Sequence, residues 1–414
     1  MEPKTCKIYD SIKNKKDICI IMPTFNQYEQ TKKNIELLKE QTLVPDIIIV
    51  DNNSSDWTFT KLQEEFDDII LIKSKDNYWG SGWFYIWQKY AYEQWYEWLI
   101  LNDNDAYPVD ENLIENLFKN SKINLSAQPF NILMQNKFNK NHIFTFHYNI
   151  YHKSIIDKIW FVDYRYFIYF DDVDYLYNSK KYLSYKKIEN KYQHLNKNFQ
   201  FPKMFYFLFR NFLFFRYKNF SFINFYFHSI ITYYWLKYLK FNNLHNYCKF
   251  AKKWWEDFFN FNFELSNVKE ILNKQADLDF RINKISITEF KKKCNDKWYI
   301  YSIQNVLNWH DLYKYFDILP SENVFSPRKE VFYKNIVTTY FNNVYRLFLL
   351  FFSKDVIFIK DINFKSNEIE YFKINNNRIK SVLFFILSFP FIALYLFLKG
   401  IVFNFKYGKL CNNQ

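Results

Sequence analysis

WLILNDNDAYP, residues Trp98–Pro108, decides how this chain is read. Four strand-type apolar residues run directly into Asn102-Asp103-Asn104-Asp105, so a buried strand is expected to end in a short acidic loop. The same pattern recurs upstream. DICIIM (Asp17–Met22) stops at Pro23, DIIIV (Asp46–Val50) runs into Asp51-Asn52-Asn53-Ser54-Ser55-Asp56, and a third run at Ile69–Ile72 leads to Asn77-Tyr78-Trp79-Gly80-Ser81-Gly82. Helical segments lie between them. Tyr28–Gln41 spaces Ile35, Leu37 and Leu38 for one face, an N-cap cluster at Ser54, Ser55 and Asp56 leads to Leu62 and Phe66, and Gly82–Trp95 is a long aromatic helix. Short apolar strands alternating with helices of about 10 to 15 residues predict βαβ units and a mostly parallel α/β sheet covered on both faces. Such sheets take ligands beyond the carboxyl ends of their strands. All four loops there, beginning with Pro23-Thr24-Phe25-Asn26, are short and polar.

Composition narrows the field. Among 414 residues there are 49 Phe, 35 Tyr and 12 Trp but only 4 Gly and 9 Pro, which excludes collagen-like, linker-rich and multi-glycine dinucleotide-fingerprint proteins. A chain so poor in glycine places one where the backbone or a ligand demands it. Two of the four, Gly80 and Gly82, flank Ser81. The net charge of +13 is mostly scattered lysine, which reads as a solvated or membrane-facing surface, and no helix-turn-helix, zinc-finger or RNA-recognition pattern points to nucleic acid. Five scattered cysteines without a Cys-x-x-Cys pair predict free thiols in a reducing compartment. The polar Met1–Lys16 segment lacks the apolar core of a signal peptide.

Three constellations carry chemistry. Asp103 and Asp105 at a strand end can share one hard divalent cation, which prefers oxygen ligands and can hold a diphosphate at the same time; a solvated turn accounts for the same residues. Asp51 stands where nucleotide-binding sheets place an acid for ribose or base, and Gly80-Ser81-Gly82 opens a helix whose N–H groups suit an anion, though a tight turn needs the same glycines. FIYFDDVDY (Phe167–Tyr175) is an expected aromatic strand, from Tyr166 to Phe170, running into three acids. Crowded carboxylates raise one another's pKa, so Asp171 and Asp172 are candidates for a general base, and helix N-terminal caps are the plainer account. A further alternating strand is expected around His142–Tyr151.

Together, ICIIMPTFN, VDNNSSD, Asn77–Gly82 and LNDNDAYP resemble the GT-A core of family 2 glycosyltransferases, and FIYFDDVDY with the later His194 resembles the galactofuranosyl- and rhamnosyltransferase-like branch. The resemblance covers roughly residues 17–215. It implies that Thr24 and Asp51 contact the nucleotide, that Asp103 and Asp105 hold Mn²⁺ or Mg²⁺ with His194 as third ligand, and that Asp172, beside Asp171, is the catalytic base. Asn26, Asn53, Asn77, Gly80, Ser81 and Asn102 complete the expected donor rim. The implied donor is a UDP- or dTDP-linked sugar and the implied acceptor a glycan or lipid-linked glycan in cell-surface polysaccharide synthesis. No Arg precedes a Trp, so the Gln-x-x-Arg-Trp motif of processive synthases is missing. Two other readings are a sugar-phosphate nucleotidyltransferase, which would need a basic glycine-rich loop after the first strand, and an inactive membrane-bound nucleotide-binding scaffold.

The expected organisation is a GT-A domain over 17–200, an aromatic and basic helical region over 201–265, a mixed region over 266–375 and a membrane helix over 379–403. Ser381–Leu398 is uncharged, flanked by Arg378, Lys380 and Lys399, and interrupted by Pro390, which suits a peripheral or single-span attachment on the cytoplasmic side of the membrane.

Overall fold

The computed structural model describes residues 2–124, 126–131, 146–183, 186–194, 203–241, 245–264, 266, 269–271, 283–286, 289, 299–302, 337–338, 355–363, 368–375 and 378–412. The chain divides into two compact units, residues 1–197 with 263–269, and residues 198–262 with 270–412.

In the first unit, strands β1 (Thr5–Asp10), β2 (Ile18–Thr24), β3 (Asp46–Asp51), β4 (Ile70–Ser74), β5 (Trp98–Leu101), β6 (Ala106–Pro108), β7 (Ser126–Asn131), β8 (Asn149–His152) and β9 (Lys186–His194) form one sheet in the order β1-β4-β3-β2-β5-β8-β7-β9-β6. Strands β4, β3, β2 and β5 are parallel, as the alternation of strands and helices requires, with helices α1 (Tyr28–Lys39), α2 (Thr58–Glu65), α3 (Trp79–Glu93) and α4 (Leu113–Asn124) in the connections. The period of two sorts the strand residues onto two buried faces. Cys19, Ile21, Ile48, Val50, Ile70, Ile72, Leu99 and Leu101 pack with α3 on one face, and Ile18, Ile20, Met22, Ile47, Ile49, Leu71 and Ile100 pack with α1, α2 and α4 on the other. Burial on both faces is why these strands carry no polar alternation.

Two local features differ from expectation. Strand β1 has no counterpart in the sequence pattern, because it is an exposed antiparallel edge on β4 and needs no apolar face. Residues 166–170 are not a strand: a 3₁₀ turn at Tyr164–Tyr166 is followed by left-handed backbone at Phe167, Tyr169 and Phe170, which cannot continue a ladder, and helices α5 (Ile156–Ile159) and α6 (Asp171–Ser179) flank the segment. Of the strand expected at 142–151, residues 142–145 lie outside the described residues and β8 accounts for the end.

Helix α3 starts three residues before Gly82. Its entry turns on a left-handed Trp79, which folds Tyr78 over the first turn, so a Cβ at Gly82 would stand 2.4 Å from Tyr78 Cβ. Gly82→Ala is expected to lower stability by about 1–3 kcal/mol, the usual penalty for overpacking. Thermal unfolding should move down by several degrees; an unchanged curve would mean that the turn relaxes freely.

The second unit contains α7 (Lys203–Asn219), α8 (Phe222–Phe241), α9 (His245–Phe259), a five-stranded sheet of β10 (Asn283–Ser286), β11 (Tyr299–Ser302), β12 (Val337–Thr338), β13 (Asp355–Asn363) and β14 (Glu368–Asn375), and a 35-residue helix α10 (Arg378–Asn412) containing Pro390. Aromatic rings build its helical core, with Phe403 against Phe225, Phe258 and Tyr217. Gly400 lies where Phe222 leaves 3.2 Å for a Cβ. Leu387–Tyr407, within α10, is the one described helix long and apolar enough to cross a membrane.

Candidate active site

The loops after β2 and β3 are bound to each other. Asn26, held at φ 51°, accepts from the Ser55 N–H through Oδ1 at 2.9 Å, and its own N–H donates to Ser54 Oγ at 3.0 Å. Thr24 is buried at the end of β2, where its Oγ1 accepts from Thr31 Oγ1 at 2.8 Å. Asp51 is fully buried; its Oδ1 accepts the Ser54 N–H at 2.6 Å, whereas no donor from the described residues reaches Oδ2. Burial pushes its carboxyl up, against the Ser54 bonds that pull it down. A buried carboxylate oxygen without a donor is costly and fits a ligand hydroxyl or N–H. Asn53 is exposed at φ 64°, and Asn77 accepts from Asn52 Nδ2 at 2.8 Å, tying the second loop to the third.

The glycine tripeptide faces the protein. Ser81 is buried, its N–H donating to Phe167 O at 3.0 Å and its hydroxyl to Tyr164 O at 3.3 Å. A Cβ at Gly80 would stand 3.3 Å from Phe167 O and 3.6 Å from Asp171 Oδ2. The small residues at the start of α3 therefore seat the 164–171 segment, and with it the acids that open α6.

The fourth loop is clamped from several directions. Asn102 is buried and donates through Nδ2 to Ala106 O at 2.9 Å, while no donor from the described residues reaches its Oδ1. Asn34, a polar residue in the buried stripe of α1, donates to the carbonyls of Asp103, Asn104 and Ala106 at 3.3, 3.2 and 2.8 Å. Asn104 donates to Gln27 Oε1 at 2.7 Å. Asp105 is buried, and Asp103 keeps 31% of its side chain exposed.

His147 was not among the residues that the motifs single out, yet its Nε2 lies 2.9 Å from Asp103 Oδ2. Its only signal in the sequence is a polar position in an alternating stretch, and Asn34 likewise shows only as an amide in an apolar stripe. His194 ends β9 with its Cα opposite Ala106, one residue from Asp105; its side chain lies outside the described residues.

Asp171 and Asp172 open α6 after the left-handed Phe170. Burial, the Asp172 charge and the Asp103 charge hold the Asp171 carboxyl well above its usual range. Asp172 is only partly exposed, and its low-dielectric surroundings and the Asp103 charge push it up to about 7, against the hydrogen bond it accepts from the Val173 N–H at 2.7 Å. Acids from the fourth loop and from α6, 66 or more residues apart in sequence, thus share one electrostatic field. At the base of the segment a buried Asp163 accepts from Arg165 Nε at 2.8 Å and Nη2 at 2.7 Å, which fixes the strained backbone that follows. Among the described residues no three His, Cys, Asp or Glu side chains form a ready metal site. The donors at the rim are hard carboxylate oxygens whose mutual repulsion a divalent cation would relieve, so they suit such an ion.

Residues 19–220, just under half of the chain, match the sequence model described as Glycosyl transferase family 2. No curated protein matches the chain. Among solved structures, the mannosyltransferase PcManGT from Pyrobaculum calidifontis, in complex with GDP-Man and Mn²⁺, is 11% identical with a TM-score of 0.40 over 49% of this chain and 64% of that one. TarS of S. aureus is 13% identical with a TM-score of 0.39 over 49% and 40%, and its 1–349 fragment in complex with UDP-GlcNAc is 15% identical with a TM-score of 0.39 over 47% and 65%. This chain spans less than two thirds of each.

Proposed function

We propose that the protein is a cation-dependent, inverting glycosyltransferase that moves a sugar from a nucleotide diphosphate to a glycan or lipid-linked glycan acceptor in cell-surface polysaccharide synthesis. The observation that carries this reading is that the charge of Asp103, a strand-end acid suited to the donor's cation, is among the causes that push Asp172 up to about 7, after burial. Thr24, Asp51 and the loop residues Asn26 and Asn53 bind the nucleotide, with Asp51 Oδ2 accepting from base or ribose. Asp103 and Asp105, with His194 as third ligand, would hold Mn²⁺ or Mg²⁺. When bound, the cation supplies Lewis-acid neutralisation of the leaving diphosphate. Asp172 accepts the proton of the acceptor hydroxyl as that oxygen attacks the anomeric carbon, and the bond to the diphosphate oxygen breaks on the opposite face. Asp171 opens α6 beside Asp172, and burial with the neighbouring acids pushes its carboxyl up.

The test is a nucleotide and nucleotide-sugar panel with Mn²⁺ or Mg²⁺, read as melting temperature and donor turnover. A ligand at about 100 times its Kd adds roughly 2.7 kcal/mol of stability, which is visible as a shift of several degrees. If no member of the panel raised the melting temperature, the scaffold reading would replace this one.

Membrane attachment rests on α10. Leu387, Phe391, Leu394, Leu398, Val402 and Phe405 recur every three or four residues and are exposed, Phe391 at 77% and Phe405 at 94%. Ile392, Leu396 and Phe403 on the opposite face are buried in the second unit. That face packs near α9, whose Lys252 and Glu256 are exposed, which favours the peripheral over the single-span form of attachment. Replacing Phe391, Leu398 and Phe405 together by Ser removes roughly half of the stripe. Flotation with anionic vesicles should fall at least tenfold, and equal flotation of variant and parent would sink the assignment.

A further inference from the structure

The bonds that Asn34 and Tyr148 make around the fourth loop are to backbone carbonyls, Tyr148 donating to Ala106 O at 3.0 Å. They set the main chain but not the two side-chain torsions of Asp103. His147 reaches that side chain directly, and the strand register explains how. Antiparallel β5 and β8 pair Leu101 with Asn149, and continuing two residues past both brings 103 opposite 147. On its other side, His147 Nδ1 lies 3.2 Å from the hydroxyl of Tyr192, a buried residue of β9 that pairs with Pro108. The chain Asp103, His147, Tyr192 therefore draws on three separate segments and runs from a partly exposed carboxylate into the core.

We propose that His147, backed by Tyr192, is a positioning residue that aims the Asp103 carboxylate at the donor's divalent cation, taking Oδ2 and leaving Oδ1 for the ion. This rests on the reading of Asp103 as a cation ligand given above. With Nε2–H donating to Asp103 and the Tyr192 hydroxyl donating to Nδ1, each bond in the chain has one donor and one acceptor. A hydrogen-bonded ligand is oriented before the ion arrives, and loss of such outer partners typically weakens metal binding about 10–100-fold.

The experiment is Mn²⁺ titration of the full chain, following free Mn²⁺ by electron paramagnetic resonance, beside melting curves recorded without metal. His147→Ala should weaken Mn²⁺ binding about 10–100-fold. His147→Gln, whose amide can still donate to Asp103, should recover most of that loss, and Tyr192→Phe should lose several-fold with an unchanged metal-free melting curve. Should His147→Ala fail to fold, the Gln and Phe variants decide. Wild-type Mn²⁺ affinity in Tyr192→Phe and in every folded His147 variant, with affinity lost in Asp103→Ala, would overturn the role of His147 alone. Wild-type affinity in Asp103→Ala as well would overturn the cation reading with it.

Discussion

Asp172→Asn is expected to lower the transfer rate by about 10²–10⁴-fold, the range that a positioned general base contributes, while donor binding stays close to that of the parent. The amide has nearly the same shape and can still accept the Val173 N–H through its oxygen, but it cannot take the acceptor proton. The pH dependence supplies a second readout. The Asp172 carboxyl is pushed up to about 7 by its surroundings and by the Asp103 charge, so the reactive, ionised form is lost as pH falls through 7. The parent rate should rise about tenfold per pH unit up to that point and level off above it, and in Asp172→Asn this rising limb should disappear. A variant that kept both its rate and its limb would remove Asp172 from the chemistry.

Asp103→Ala is expected to be at least as damaging, with transfer falling on the order of 10³-fold or more, because several kcal/mol of leaving-group stabilisation depend on the cation it would hold. It carries a second consequence that a simple ligand loss would not. The Asp103 charge is one of the causes that raise Asp172 in the metal-free protein, so removing it lets the base titrate lower there, and a metal-free titration of the Asp172 carboxyl should move to lower pH. Turnover with Mn²⁺ in excess and that metal-free titration separate the two effects. Full activity in this variant would leave the fourth loop a structural turn.

The central sheet was legible in the sequence because its information is local. Strands such as DICIIM and DIIIV are apolar on both faces, and their polar ends mark the rim without any tertiary knowledge. Strand β1 was not legible, since an edge strand that buries neither face leaves no period to read. The aromatic run FIYF misled for a related reason: β-type residues favour a strand, but the Asp163–Arg165 pair and the packing of Gly80 and Ser81 impose a left-handed backbone there. Propensity gave way to tertiary packing.

The glycine pair shows the same division in miniature. Scarcity marked Gly80 and Gly82 as demanded by something, and the sequence left open an approaching phosphate or sugar and a tight turn. The fold shows the protein neighbours, the Phe167 carbonyl with Asp171 at Gly80 and Tyr78 Cβ at Gly82.

By itself the sequence determined the α/β class, the order of the parallel strands' loops and the acids that those loops display. Only the tertiary structure decided which acids share one field, that His147 stands against Asp103, and that Asn34 holds the carbonyls of the 103–106 loop. The physical reason is range: periodicity and capping act within a few residues, whereas the 44 residues from Asp103 to His147 are spanned only when the β5–β8 register is formed.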